Sequence, residues 1–217
     1  MKDDERTELQ VRVVRLIAAL IEAGMEEVTL EDFHAFAFFA DALAPVWGNL
    51  PPLGDVLKDE DGPHYPALQR ELDFLVGRGL VSVSHLSPKD RGGRWRLDIA
   101  FSLDLERARA WLSIVDQMPD EDQDLAAFLA ELAYSFVEIP TGSRDDAARV
   151  DAAWSAPETS VGRFIELDGR SPTGRAVPNH SVDAARRFQA YAPNGIVLTP
   201  AEQTSLYMSL MRRRAGA

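Results

Sequence analysis

The chain has 217 residues, of which 46% are hydrophobic, enough apolar material for one large or two small globular domains. It contains no cysteine, which excludes disulfide bonds and thiolate chemistry. Its formal net charge of -12 argues against a free-standing DNA-binding protein, because non-specific DNA affinity comes mostly from Lys and Arg side chains that neutralise phosphates.

The N-terminal region predicts two helices. Apolar residues recur at helical spacing over residues 8–23, and Gly24 follows as a stop. Thr29 is placed to cap a second helix, with Asp32 three residues later to answer the first-turn amides. We expect this second helix to end before Pro45, because proline cannot continue the hydrogen-bond ladder.

The second helix is aromatic on more than one side. It is therefore either a central core helix or a helix that presents one face to a partner. In the second case, the partner surface would consist of Phe36, Phe38 and Phe39.

Residues 62–101 predict the most definite local structure. Pro66 suits the first turn of a short helix, which two glycines end at residues 77 and 79. A β run follows over residues 80–84, then a turn over residues 88–93. Residues 94–101 alternate polar and apolar side chains, which is typical of a half-buried strand. The order helix, strand, turn, strand is that of a winged helix, which either reads DNA or docks within a larger assembly.

The predicted hairpin carries four basic side chains: Lys89, Arg91, Arg94 and Arg96. In a DNA-binding winged helix these side chains would contact phosphates. The helix before the hairpin offers one arginine, Arg70, against two acids, Glu71 and Asp73, which is too little positive charge for a recognition helix. The residues leave two interpretations open, a hairpin that docks on protein and a hairpin that contacts DNA.

The rest of the chain is predicted to be mostly helical. We expect helices over residues 104–115, 120–137, 145–154, 182–191 and 200–213, with a brief strand at residues 164–167. The predicted fold class is α+β and mostly helical, with a winged-helix core, a β-hairpin wing and a helical C-terminal extension. We place a helical winged-helix domain at residues 1–116 and a helical C-terminal region at residues 117–217, with an irregular segment at residues 155–180.

The sequence carries no recognisable catalytic or cofactor motif. There is no glycine-rich phosphate loop, and the four histidines, which are scattered singly, lack metal-ligand spacing. Pro172 after Ser171 would remove the amide that an oxyanion hole needs. We therefore predict no enzyme activity, no cofactor and no metal. The charged N-terminus and the absence of a long apolar run predict a cytoplasmic protein without a membrane span.

Two blocks of the sequence resemble a known family. The first is residues 62–81, GPHYPALQRELDFLVGRGLV. The second comprises AARRF at residues 184–188, LTPAEQ at residues 198–203, and LY at residues 206–207. Together they look like the middle components of bacterial ABC-three-component conflict systems.

The resemblance implies a small, non-enzymatic adaptor subunit. Middle components are thought to lie between an SMC-like ABC ATPase and an effector protein, in systems that act against phage or plasmids. The expected partners are thus an ABC/SMC-like ATPase and an effector of the same operon, with DNA reached through the complex. The alternative is a winged-helix DNA-binding regulator or an antitoxin-like protein.

Overall fold

The computed structural model describes residues 3–48, 50, 54–91, 93–117, 123–157, 159–167 and 178–216, without the side chains of residues 3, 4, 91, 94 and 123. In this part of the chain the fold is α+β, mostly helical, with small antiparallel sheets. The helices are α1 (Asp3–Glu22), α2 (Leu30–Trp47), α3 (Pro66–Gly77), α4 (Leu105–Val115), α5 (Gln123–Val137), α6 (Arg144–Arg149), α7 (His180–Arg187) and α8 (Pro200–Ala215). The strands are β1 (Val28–Thr29), β2 (Val56–Asp59), β3 (Gly62–His64), β4 (Val81–Arg91), β5 (Arg94–Leu103) and β6 (Phe164–Ile165).

Helix α2 begins as the sequence predicts and ends later. The Thr29 hydroxyl accepts a hydrogen bond from the Asp32 amide at 3.0 Å, which confirms the predicted cap. The helix then continues through Pro45 to Trp47, so the predicted end before Pro45 is wrong. A proline in the last turn removes only one helical hydrogen bond, the one to the carbonyl of Asp41. Arg186 of α7 donates to the carbonyl of Pro45 at 2.9 Å, which gives a partner to one of the terminal carbonyls of the helix.

One hydrophobic core joins both halves of the chain. Side chains from α1, α2, α3, α5, α6 and α8 belong to the same buried cluster. The two predicted regions, residues 1–116 and 117–217, therefore pack on a common core. Of the predicted irregular segment, residues 158 and 168–177 lie outside the described residues, and its described part contains β6, which pairs with β2.

The first sheet has the strand order β1-β5-β4 and contains a long hairpin. Strand β4 runs from Val81 to Arg91, so the predicted β run of residues 80–84 is too short. Arg91 pairs with Arg94, so strand pairing extends into the stretch where the sequence predicts a turn over residues 88–93, and residues 88–91 belong to β4. Gly93 adopts a φ of 86° in this turn, a conformation that favours glycine.

The second sheet has the strand order β3-β2-β6 and lies beside that hairpin. Strands β2 and β3 form a hairpin of their own, whose acidic turn carries Asp59, Glu60 and Asp61. The sequence pattern predicts neither of these two strands. Contacts described below join this turn to β5.

Candidate functional site

The β4–β5 hairpin, where the sequence predicts a functional surface, has two chemically different faces. Its register alternates the pairs Leu86–Ile99, Pro88–Leu97 and Asp90–Trp95 with the pairs Ser87–Asp98 and Lys89–Arg96. Paired side chains share a face, and neighbours along a strand lie on opposite faces. We define the apolar face of the hairpin as Val83, Leu86, Pro88, Trp95, Leu97 and Ile99. Asp90, which pairs with Trp95, lies at the outer end of this face.

A β-bulge at Ser84 brings these apolar residues onto one face. Val83 and His85 pair with consecutive residues of β5, so Ser84 has no ladder partner. Val83 and Leu86 are three residues apart and would lie on opposite faces of a regular strand. The extra residue returns them to the same face. The Ser84 hydroxyl donates to the Glu27 carboxylate at 2.8 Å, which holds the bulge against the body of the protein.

The apolar face is buried at its base and exposed toward its tip. Val81 and Phe101 belong to the core, whereas Leu86 and Leu97 are each 60% exposed and Trp95 is 74% exposed. The prediction of a half-buried strand is therefore wrong for Trp95 and Leu97. The reason is the length of the hairpin, because its outer half extends beyond the elements that cover its base.

The opposite face carries basic side chains that pair with carboxylates of the same chain. Lys89 lies 3.6 Å from Asp98 on the neighbouring strand. Arg96 forms an ion pair with Asp61 in the β2–β3 turn and lies 4.0 Å from Asp59. Each of these two cations thus pairs with a carboxylate of the same chain. In a DNA-binding hairpin, such a cation would contact a phosphate.

The other two predicted basic residues stand at the end of the hairpin. The backbones of Arg91 and Arg94 face each other across the turn. Their side chains lie outside the described part of the structure. The structure therefore brings Lys89 and Arg96 onto one face and leaves the contacts of the two tip arginines as a prediction.

Helix α3, which precedes the hairpin, offers little positive charge to a partner. The side-chain amide of Gln69 makes two hydrogen bonds: its oxygen binds His34 at 3.0 Å, and its nitrogen donates to Asp73 at 2.8 Å. Glu71 is buried against α1, where it accepts hydrogen bonds from arginine and glutamine side chains. On the exposed side the helix presents Arg70 and Asp73, whose charges cancel.

The three phenylalanines predicted as a partner surface are core residues. Phe36, Phe38 and Phe39 are all 0% exposed. The Phe36 ring lies 5.4 Å from that of Phe136, and the Phe38 ring lies 5.8 Å from that of Trp154. The prediction of a contact surface is therefore wrong, and α2 is a central core helix. The reason is that α5 and the segment after α6 cover the sides of α2 that the other core elements leave open.

A buried polar network joins α2 to β3 and α3. Tyr65 donates its hydroxyl to Asp41 at 2.9 Å and its amide to Nδ1 of His34 at 3.3 Å, so Nε2 of His34 carries the proton that it donates to Gln69. Burial, helped by His64 at a ring distance of 4.8 Å, lowers the pKa of His34 to about 4. The histidines that are scattered in the sequence thus include one pair in contact. His34 is closed in and neutral, which suits a structural role.

A second buried network lies around Asp151. This carboxylate accepts hydrogen bonds from Tyr207 at 2.6 Å, from Ser181 at 2.7 Å and from the amides of Ala153 and Trp154. Burial raises the pKa of Asp151 and also that of Tyr207. All three side chains are fully buried, so the network joins α7, α8 and the turn after α6 and is closed to a substrate.

Within the residues that the structure describes, no cluster of three or more His, Asp or Glu side chains is arranged to hold a metal ion. No helix in the described part of the chain combines the length and apolar character needed to cross a bilayer.

Comparison with protein-family models finds no matching family, and neither a curated protein nor a solved structure matches the chain.

The exposed apolar face is the feature that sequence reasoning missed. The alternation of residues 94–101 identifies the apolar side chains of β5 but predicts that they are covered. On β4, the apolar residues Val83 and Leu86 are three positions apart, which breaks the two-residue alternation of a regular strand. This break is the sequence signal for the bulge. The candidate functional site of this protein is therefore the outer half of the β4–β5 hairpin.

Proposed function

We propose that this protein is a non-enzymatic adaptor subunit built on a winged-helix core, in which the β4–β5 hairpin is the wing. It links an SMC-like ABC ATPase to an effector protein in a system that acts against phage or plasmids. Its role is to hold two other proteins together, and it carries out no chemistry itself.

The element order supports the winged-helix core. Helix α1, strand β1 and helices α2 and α3 precede the two strands of the hairpin, and β1 lies beside β5 in the sheet order β1-β5-β4. A winged helix has this order of three helices and three strands. The small β2–β3 hairpin is then an insertion between its second and third helices.

The pairing of Arg96 with Asp61 is the observation that carries the proposal. A wing that grips DNA presents its cations to phosphates, and each phosphate contact contributes to affinity. Here the cation is neutralised within the chain, while apolar side chains stand exposed on the other face of the same hairpin. That combination favours a protein partner over DNA.

The identity of the partners rests on the resemblance to middle components. The first similar block, residues 62–81, contains β3, α3 and the start of β4, and so covers the elements that lead into the wing. The second block covers parts of α7 and α8, which pack on the same core as α3. A protein that binds an ATPase and an effector needs surfaces on more than one element, which this arrangement provides.

Co-expression tests the proposal. The tagged chain is expressed together with the ATPase and the effector encoded by the genes beside its own, then purified and analysed by size-exclusion chromatography with light scattering. We expect a stable complex that contains all three proteins and survives moderate salt. A chain that elutes alone in the presence of both candidate proteins would refute the adaptor function. A chain that instead binds duplex DNA tightly without them would favour the regulator.

A further inference from the structure

We propose that the apolar face of the hairpin is a docking site that inserts into an apolar groove of a partner protein whose rim is basic. This inference rests on the proposed adaptor function, since it names the surface by which the adaptor holds one of its partners. It concerns Leu86, Trp95 and Leu97, and leaves open which other elements contact the second partner.

The exposure of these side chains indicates a covered surface in the assembled state. A folded chain rarely leaves a large tryptophan 74% exposed beside two leucines that are each 60% exposed. Tryptophan is enriched at the centres of protein interfaces, where it often contributes a large share of the affinity. From Trp95 to Ile99 the apolar face extends over about 13 Å, at a strand rise of about 3.3 Å per residue.

The hairpin presents this face as a preorganised unit. Cross-strand pairing continues without interruption from the His85–Ala100 pair to the closing pair at the tip, and the base is anchored in the core by Val81 and Phe101. A partner would therefore order little backbone on binding, which reduces the entropic cost of association.

The face docks by its side chains and not by its strand edge. Strand β4 lies at the edge of its sheet, where a partner strand would have to pair with it. Pro88 lies in the middle of the outer half of β4 and has no amide proton to donate. Within a paired strand, the nitrogen of a proline faces the open edge, where another strand would need an N–H donor. The absence of that donor blocks the addition of another strand.

Charge at the base of the hairpin identifies the kind of partner. The chain has a net charge of -12, and the acids around this base outnumber the two cations paired among them, Lys89 and Arg96. These acids are Glu27, Asp59, Glu60, Asp61 and Asp98. A groove with lysine or arginine at its rim complements this surface and speeds association. A second copy of the chain would bring two such acidic surfaces together, which is unfavourable.

The test compares two variants of the same hairpin in the full-length chain. Trp95→Ser with Leu97→Ser removes the apolar face, whereas Lys89→Ser alters only the charged face and serves as the matched control. Both sites are on exposed parts of the hairpin, and urea unfolding checks that each variant is folded. Affinity for the co-expressed ATPase and for the effector is measured by calorimetry. We expect the double variant to lose at least about 30-fold in affinity for one of them, and the control to change less than about threefold.

A second measurement does not depend on affinity. A photo-crosslinking amino acid placed at position 97 should crosslink to the same partner that the double variant fails to bind. If the double variant binds both partners as tightly as the wild-type chain does, the docking site is refuted and the adaptor function stands. Failure of the wild-type chain to bind either protein would instead overturn the adaptor function.

Two further outcomes identify a different occupant. A wild-type dimer in light scattering that the double variant converts to a monomer would show that a second copy covers the face. Flotation of the wild-type chain with vesicles of phosphatidylcholine and phosphatidylglycerol, lost in the double variant, would show that the face enters a membrane. Either result overturns the assignment to a partner groove.

Discussion

Arg96 on strand β5 forms an ion pair with Asp61, which lies in the turn of a different sheet. The pair joins the hairpin to the acidic β2–β3 turn and neutralises the cation that the sequence offers to DNA. It also places a positive charge near His64, which adds to burial in lowering the pKa of that histidine, against the opposite effect of Asp59. The same contact thus neutralises a cation of the hairpin and connects the hairpin to the second sheet.

The first prediction concerns DNA binding by the hairpin. Wild-type protein should bind duplex DNA weakly at about 50 mM salt, and Asp59→Asn with Asp61→Asn should increase that affinity about threefold or more, because Arg96 is released. Adding Arg96→Ala should abolish the gain. Fluorescence anisotropy with a labelled duplex provides the measurement. Glu106→Gln with Asp183→Asn changes the net charge equally at exposed sites far from this pair in sequence, and an equal gain in this control would show that only total charge matters.

The second prediction concerns the buried ion pair of Arg144 and Asp32, which are 3.0 Å apart. Arg144→Met should lower the free energy of unfolding by about 3 to 5 kcal/mol, because it leaves a carboxylate in the interior without its counter-charge. Urea denaturation measures the loss. In the exposed pair of Arg109 and Glu22, Arg109→Met should cost less than about 1 kcal/mol. Equal effects of the two substitutions would contradict the importance of burial.

The third prediction concerns the network around Asp151. Tyr207→Phe removes the hydroxyl that donates to this carboxylate at 2.6 Å and should destabilise the fold by about 1 to 3 kcal/mol, because a buried acceptor loses its donor. Thermal and urea unfolding measure the change. Tyr191→Phe alters the same group on an exposed ring and should leave stability unchanged. A loss of similar size in both variants would indicate that the hydroxyl of Tyr207 is not specifically required.

The fourth prediction concerns pH. Burial lowers the pKa of His34 to about 4 from an ordinary value of 6.5, so the unfolded chain binds its proton more tightly than the folded one. The contribution of His34 to stability is complete above pH 6.5 and is lost as the pH falls toward 4. Between about pH 7.5 and 4.5 the loss should amount to about 2 to 3 kcal/mol. The difference between wild type and His34→Gln isolates this contribution, because His64 and Asp151 titrate in both proteins. Parallel stability curves for the two proteins would rule it out.

Local features of the fold could be predicted from the sequence because they depend on neighbouring residues. Thr29 caps α2, since this cap needs only a hydroxyl near the first-turn amides. Pro66 begins α3 for a different local reason: it has no amide proton that would need a partner in the first turn. The alternation on β5 identifies a strand. Each of these signals acts over fewer than about five residues along the chain.

The candidate site could be predicted only in part. The sequence places basic and apolar residues on the hairpin, but the ion pair of Arg96 with Asp61 depends on how a second sheet packs beside the first. The bulge at Ser84 depends on the register between β4 and β5, which no single strand encodes. The exposure of Trp95 depends on how far the hairpin extends beyond the core.

The sequence by itself determined that the chain is mostly helical, where several helices begin, and that a hairpin follows α3. The tertiary structure alone decided that Phe36, Phe38 and Phe39 are covered and that Trp95 and Leu97 are not. The apolar character of these five side chains is the same in the sequence. Which of them is removed from water depends on contacts between residues far apart in the chain, and such contacts form only when the elements pack.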